Sequence, residues 1–166
     1  MDESSSDWQA WLDRHGPALV LLARQFVPSR ADAEDIVQEA FIRFWRSRAK
    51  VQRPTAYLYA SVKGCALDWQ RSRRRQQRRE EHVARPQAEP LFATALEQDE
   101  RRTAIEAALR ELPSEQAEVL VMKIWGELSF PQIGEALEIS PNTAASRYRY
   151  ALARLREVLA EEPTYE

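Results

Sequence analysis

The sequence holds a single cysteine, Cys65, among 166 residues. One cysteine cannot form a disulfide within the chain, which fits a reducing compartment. The sequence also lacks an apolar run near the roughly 18 residues that a membrane-spanning helix needs. Its first residues, MDESSSDWQAW, are acidic, unlike those of a secretory signal. These absences predict a cytoplasmic protein that does not enter a membrane.

Glycine and histidine are scarce, with four and two residues. Few glycines and no long alternation of β-branched residues predict an all-α fold. The sequence shows no glycine-rich phosphate loop and no spacing typical of metal ligands. His15 and His82 lie far apart, and Cys65 lies on an apolar stripe, where a core role is expected rather than a nucleophilic one. We therefore expect no catalytic residue, no metal and no cofactor, and the chain is not predicted to be an enzyme.

The net charge is only −2, but the charge is unevenly distributed. Residues 1–79 hold 15 Lys and Arg against 9 Asp and Glu, whereas residues 80–100 hold one against six. Residues 101–166 hold eight against 11. The abrupt change near residue 80 indicates a basic surface that ends at an acidic connector.

Three apolar stripes at helical spacing predict a first helical domain over 7–79. Gly16–Pro17 should break or kink its first helix, because proline removes a backbone donor. Ser29, with Asp32 three residues later, predicts the capped start of the second helix. Pro54 suits the first turn of the third helix, which runs into the cationic stretch RSRRRQQRR.

An acidic segment over 80–98 has two prolines and no clean periodicity, and we interpret it as a flexible linker. A second small helical domain is predicted over 99–160. Its first helix should end at Pro113, Ser114 should cap the next one, and Gly126 should close that one. The predicted architecture is two small helical domains joined by this linker.

The stretch FPQIGEALEISPNTAASRYRYALARLR predicts a helix, a tight turn and a second helix, at about 130–137 and 141–160. Ser140 should cap the second helix and Pro141 should begin it. The outward positions near its start are small, polar or cationic. They are Asn142, Thr143, Ala145, Ser146, Arg147, Arg149 and Tyr150. A helix-turn-helix protein contacts base edges with this part of its second helix, although an amphipathic helix with a solvated polar face would show the same pattern.

Two parts of the sequence resemble a known family. The first part resembles the second conserved region of sigma-seventy-family transcription initiation factors. It consists of DAEDIVQEAFIRFWRS followed by PTAYLYASVKGCALDWQRSRRR. The second part resembles the fourth conserved region of the same family. It is LRELPSEQAEVLVMKIWGELSFPQIGEALEISPNTAASRYRYALARLR. With a short connector and no room for other domains, the chain resembles an extracytoplasmic-function (ECF) sigma factor over about 9–79 and 100–159. The resemblance implies binding to core RNA polymerase, promoter recognition and DNA melting during initiation.

The resemblance also implies a polymerase-binding face and two DNA-binding sets. The face that would dock on the clamp helices of the largest polymerase subunit matches Asp32, Asp35, Gln38 and Glu39. The residues that would contact the melted promoter element match Tyr57, Tyr59, Lys63, Asp68, Arg71, Arg73 and Arg74. Trp69 lies in the same stretch, and we expect it in the core.

The upstream promoter element would be contacted by Thr143, Ser146 and Arg147. The neighbouring outward residues Asn142, Arg149 and Tyr150 complete this set. Three departures from the family pattern stand out, with Gly64, Ala145 and Tyr150 where the family commonly has Asn, Lys and Arg. The recognition helix therefore carries less charge than is usual, and the effect of these departures stays open.

A second interpretation is a stand-alone helix-turn-helix regulator that never binds polymerase. Such a regulator would need neither the polar face of DAEDIVQEAF nor the basic third helix. The acidic linker could thread a cationic channel of the polymerase, or it could be a solvated spacer. The promoter sequence, the genes controlled, the inducing signal and the existence of an anti-sigma factor stay open.

Overall fold

A computed structural model describes residues 3–80 and 100–161, with side chains described over 7–80 and 104–160. These residues form seven α-helices and one short 3₁₀ turn, without a strand, so the predicted all-α fold is confirmed. The predicted linker lies outside the described residues, apart from Glu80. The helices are α1 (Glu3–Arg24), α2 (Arg30–Ser47), α3 (Pro54–Arg79), α4 (Glu100–Glu111), α5 (Ser114–Ile124), α6 (Phe130–Leu137) and α7 (Pro141–Glu161), and the 3₁₀ turn is Arg48–Lys50.

Helix α1 is one helix with Pro17 inside it, so the predicted break there was wrong. Pro17 lies on the exposed face, while Ala18, Leu19 and Leu22 are almost fully buried. Burying one leucine contributes about 1.5–3 kcal/mol. Several such residues therefore offset the roughly 3 kcal/mol that an internal proline costs.

The predicted starts of α2 and α3 are confirmed. The Ser29 hydroxyl accepts a hydrogen bond of 3.0 Å from the backbone N–H of Asp32 and donates one of 2.8 Å to its carboxylate. Pro54 is the first residue of α3. These local signals determine where the helices of the first half begin, because they satisfy or remove backbone donors that a helix start leaves unpaired.

The boundaries of α5 differ from the predicted ones. Pro113 precedes the helix, and Ser114 lies inside it, with its hydroxyl 3.2 Å from the Glu118 carboxylate. After the helix, Glu127 takes the left-handed conformation, with φ of 56°, and Gly126 does not. Gly126 is required for space instead, because a Cβ there would lie 2.8 Å from the Tyr59 hydroxyl.

The predicted helix-turn-helix is formed by α6 and α7. Ser129 and Gln132 form a capping box at the start of α6. The turn after α6 packs back on Gly134 of that helix, where a Cβ would lie 2.6 Å from the Ile139 carbonyl oxygen, so glycine permits the close approach. The Ser140 hydroxyl accepts a 3.0 Å hydrogen bond from the backbone N–H of Thr143, as a helix cap does.

The first half of the chain (α1–α3) and the second half (α4–α7) pack against each other. Helix α3 contacts α6, and α1 contacts α5. Buried residues of both halves belong to one hydrophobic cluster. We call this packing the closed arrangement. None of the helices in the described ranges is long and apolar enough to span a membrane.

Candidate nucleic-acid interface

Helix α2 presents an exposed polar strip that contains three of the four residues predicted to bind polymerase. Asp35, Gln38 and Glu39 are exposed, because the apolar residues of α2 face α1 and α3. Glu39 forms an ion pair with Arg43 one turn later. Asp32 is half-buried, and its carboxylate is engaged by the Ser29 hydroxyl.

Ile42, which was not among the predicted residues, continues this strip. Ile42 follows Asp35 by seven residues and Gln38 by four, so the three side chains share a face of α2. Its side chain is 38% exposed although it is large and apolar. An apolar residue outside the buried stripe of a helix is the signal that could have identified it.

Helix α3 divides its predicted DNA-binding residues between two faces. Tyr57, Asp68 and Arg71 are exposed on one face, where Arg71 pairs with Asp68 at 3.2 Å. Arg74 is also exposed near the end of the helix. Lys63 lies on the other face, toward the second half of the chain.

Tyr59, which was predicted to contact melted DNA, is buried in the closed arrangement. Its side chain is 0% exposed, and its hydroxyl lies 3.1 Å from Nδ1 of His15. Tyr59 shares its face of α3 with Val62 and Ala66, which are also fully buried. The position is therefore a core position in this arrangement, where the tyrosine hydroxyl is satisfied by a hydrogen bond.

Trp69 is half-buried and packs against the core, as predicted. The Arg73 guanidinium lies over its ring, 5.6 Å from the ring centre. Beyond it, the last turns of α3 expose Arg75, Arg78 and Arg79, which were not among the predicted DNA-binding residues. The end of α3 is thus a cationic segment next to an aromatic ring.

The glycine at position 64 has no packing role, because a Cβ there would have no neighbour within 4 Å. Glycine inside a helix costs about 1 kcal/mol relative to alanine. The structure offers no physical reason for this departure from the family pattern.

Cys65 is half-buried, and its sulfur lies 3.9 Å from a guanidinium nitrogen of Arg43. Burial raises the pKa of its thiol, which keeps it protonated. This environment fits the predicted packing role. The described residues contain no cluster of three or more His, Cys, Asp or Glu side chains that could hold a metal ion.

Helix α7 carries the residues predicted to contact the upstream element. Asn142, Arg149 and Tyr150 are exposed, and Tyr150 is 58% exposed. The Arg149 guanidinium lies 5.8 Å from the Tyr150 ring centre. The structure thus presents these residues on a helix whose opposite face packs on α5 and α6.

The other three residues of this set are half-buried. The Thr143 hydroxyl lies 2.8 Å from that of Ser140, and Arg147 lies 3.3 Å from the exposed Glu115 carboxylate. Ser146 lies between them along α7. Ala144 and Ala151 are fully buried on the inner face, which leaves the outer face accessible to a groove.

His15 joins Tyr59 beneath the α5–α6 loop. Burial lowers the pKa of its imidazole below the usual 6.5, and the Arg14 charge lowers it further, while Glu127 acts in the opposite direction. Burial also raises the pKa of the Tyr59 hydroxyl. The pair is therefore neutral at physiological pH, which suits a buried position.

We expect the free energy of unfolding to fall as the pH decreases below about 6.5, because the unfolded chain then binds a proton that the folded chain excludes. The His15 contribution is at most about 1.4 kcal/mol per pH unit. Chemical denaturation of wild type and His15→Asn between pH 7.5 and 5.5 measures it. Equal pH dependence in both proteins would show that His15 does not titrate with unfolding.

Both halves of the chain match known proteins. Residues 11–76 match the family model of Sigma-70 region 2, and residues 102–155 match that of Sigma-70 region 4. An RNA polymerase sigma-E factor of Streptomyces avermitilis is 30% identical over 156 residues, which cover 92% of this chain and 85% of that protein. The ECF RNA polymerase sigma factor SigE of Mycolicibacterium smegmatis is 32% identical over 93% of this chain and 62% of its own length.

Two solved structures share the fold. The sigma factor RpoE of Bartonella quintana, in complex with the anti-sigma factor NepR, has a TM-score of 0.70 at 20% identity and covers 95% of this chain and 99% of its own. CnrH, in complex with the cytosolic domain of CnrY, has a TM-score of 0.64 at 22% identity, with 96% and 91% covered.

An all-α chain with a helix-turn-helix and both matched regions is a transcription initiation factor. The chain belongs to the ECF group of the sigma-70 family. It is an RNA polymerase sigma factor, which binds core polymerase and directs it to promoter DNA. The stand-alone regulator is not favoured, because the first half matches the family as well as the second half does.

Proposed function

We propose that this sigma factor uses three separate surfaces for polymerase, for the melted promoter element and for the upstream promoter element. The observation that carries the proposal is that each surface is the exposed side of a helix whose other side is buried in the core. The sigma factor acts in the cytoplasm, where we expect its polymerase.

The polymerase surface is the exposed strip of α2, which we propose docks on the clamp helices of the largest subunit. Asp35 and Glu39 supply negative charge to this surface. Ile42, one turn further along α2, supplies an exposed apolar side chain. The acidic groups suit a cationic partner surface, because interfaces pair opposite charges. The exposed apolar side chain suits an apolar pocket on that surface, because residues buried in such pockets contribute most of the binding energy.

The melted element is assigned to the exposed face and the cationic end of α3. The Tyr57 ring is 40% exposed and can stack on an extruded base, while Arg71, Arg73 and Arg74 can neutralise phosphates. Melting ten base pairs costs on the order of 14 kcal/mol, whereas stacking one base returns roughly 1–3 kcal/mol. The polymerase must therefore supply most of the energy, and the sigma factor supplies the choice of sequence.

The upstream element is assigned to the outer face of α7. Asn142 and Arg149 are exposed and carry hydrogen-bond donors for bases or phosphates. The small Ala145 allows the helix to approach the groove closely. Tyr150, where the family commonly has Arg, exposes a ring that offers an apolar contact, so the preferred sequence should differ from that of relatives with the arginine.

An anti-sigma partner is also proposed. The structurally similar sigma factor RpoE was solved with the anti-sigma factor NepR, and its fold likeness extends over 95% of this chain. Purification of the protein from its own host, followed by identification of a stoichiometric companion, tests this proposal.

Transcription from a random promoter library tests the proposed function. We expect core polymerase with this protein to select templates that share an upstream and a downstream element at a fixed spacing. The quadruple variant Tyr57→Ala, Arg71→Ala, Arg73→Ala and Arg74→Ala should lose the downstream preference and keep the upstream one. Retention of both preferences would contradict the assignment of α3.

The isolated protein should bind promoter duplex weakly. Its net charge is −2, and part of its cationic surface is paired with its own carboxylates. We expect an affinity no tighter than the roughly 10⁻⁴–10⁻⁶ M of non-specific contacts at physiological salt. Fluorescence anisotropy with a selected promoter checks this value, and tight sequence-specific binding without polymerase would favour a stand-alone regulator.

A further inference from the structure

One exposed face of α3 runs from an aromatic ring to the cationic end of the helix. Tyr57, Gly64 and Arg71 follow one another at seven-residue spacing, which places them on one face of a helix, with about 10 Å between successive members. The Tyr57 ring is 40% exposed, and the Arg71 side chain is 69% exposed. Arg75 and Arg78 continue this face to the last turn. We call these five residues the outer face of α3.

Gly64 lies in the middle of the outer face, and nothing within the protein requires a glycine there. The residue is exposed, and a Cβ would meet no atom within 4 Å. Its φ is not positive, and it lies inside a regular helix, where glycine is less favourable than alanine because it loses more backbone entropy on folding. Glycine also serves where another molecule comes close to the backbone, and that reason is the one left for Gly64.

The side chains next to Gly64 on this face leave the helix surface accessible. The Ser61 hydroxyl, one turn earlier, donates a 2.7 Å hydrogen bond to the Tyr57 carbonyl oxygen, so it turns back onto the helix. The Asp68 carboxylate, one turn later, lies 3.2 Å from a guanidinium nitrogen of Arg71. A molecule that spans from the Tyr57 ring to the Arg71 guanidinium can therefore contact the helix itself at Gly64.

We propose that Gly64 lets the melted DNA strand lie directly against α3, between a base stacked on Tyr57 and phosphates bound at the cationic end of the outer face. This inference rests on the proposed function, because it takes α3 as the surface for melted DNA. It adds Gly64, Arg75 and Arg78 to that surface. The part of the strand at Gly64 is a sugar or a base, because the Asp68 carboxylate repels a phosphate. Asp68 can instead accept a hydrogen bond from a base amino group.

Side chains of increasing size at position 64 test the close approach. Core polymerase carrying each variant is titrated with a promoter template that is premelted over the downstream element and lacks the upstream element. We expect Gly64→Leu to weaken binding roughly tenfold or more, because a side chain forced into a close contact is costly, and Gly64→Ala to weaken it less. The melting temperature of the free Gly64→Ala protein should rise by about 2–4 °C. Affinity for core polymerase should stay the same, so the loss would not reflect poor folding or docking.

The matched control is Ala153→Leu, which adds an exposed leucine to α7 in the other half of the chain. We expect it to bind this template like the wild type. If Gly64→Leu binds the premelted template as tightly as the control, the inference is wrong. Gly64→Asn separates a need for space from a missing polar contact, and we expect it to bind more weakly than the wild type. Binding as tight as the wild type or tighter would overturn the inference, because a side chain at position 64 would then be compatible with the bound strand.

The quadruple alanine variant of Tyr57, Arg71, Arg73 and Arg74, titrated with the same template, separates this inference from the proposed function. Weak binding of the quadruple variant together with wild-type binding of Gly64→Leu would contradict the close approach and leave the proposed function standing. The reverse result would contradict the stacking and phosphate contacts and leave the close approach at Gly64 standing. Wild-type binding of both variants would contradict both.

Discussion

Reversing two charges on the α2 strip, with Asp35→Lys and Glu39→Lys, should abolish the binding of core polymerase. Like charges placed opposite each other in an interface cost several kcal/mol, which corresponds to a loss of at least a hundredfold in affinity. Folding should be preserved, because both side chains are exposed and the Glu39–Arg43 pair is a surface pair worth less than about 1 kcal/mol. Co-purification with core polymerase and thermal melting measure the two effects.

The matched control reverses two exposed carboxylates on α1, with Asp7→Lys and Asp13→Lys. This variant has the same net charge and changes the same half of the chain. We expect it to bind polymerase like the wild type. If the α2 variant still co-purifies at the wild-type yield, the docking surface lies elsewhere.

Replacing Arg147 by alanine should reduce promoter discrimination by about 1–3 kcal/mol, if its guanidinium contacts a base. The specificity should then relax at one upstream position. If the guanidinium contacts phosphate, binding should weaken on all sequences and the salt slope should fall by about one unit. Folding should change little, because the pair with the exposed Glu115 is partly solvated. Transcription from systematically varied upstream elements at several salt concentrations distinguishes the two contacts.

Two further variants serve as controls for Arg147→Ala. Arg154→Ala removes an exposed arginine that pairs with a carboxylate on the same helix, and it should leave transcription unchanged. Leu155→Ala removes a side chain that packs on the core and should destabilise the second half by about 2 kcal/mol or more. Arg147→Ala with wild-type activity on every template would mean that Arg147 does not contact DNA.

The starts of α2, α3 and α7 could be predicted from the sequence because their signals are local. Ser29 and Ser140 accept hydrogen bonds from backbone donors three residues later. Pro54 and Pro141 each begin a helix. Such signals depend on neighbouring residues alone, so they do not require knowledge of the fold.

The local rules failed where packing outweighed them. The proline rule predicted a break or a kink at Pro17; the break is absent, because burial of the apolar face of α1 keeps the helix continuous. Gly126 follows the end of α5, as predicted, but the residue with positive φ is Glu127, and Gly126 is needed instead for the approach to Tyr59. In both cases the deciding contacts come from other elements.

The sequence alone determined the all-α class, the helix-turn-helix and the periodic phase of each helix, because these follow from spacing along one chain segment. Only the tertiary structure decided which face of α3 is covered. Periodicity can neither pair the Tyr59 hydroxyl with His15, 44 residues away, nor pair Lys63 with a carboxylate 55 residues away. The physical reason is that burial and ion pairing depend on which elements meet in space, and that choice is made by the packing of the two halves.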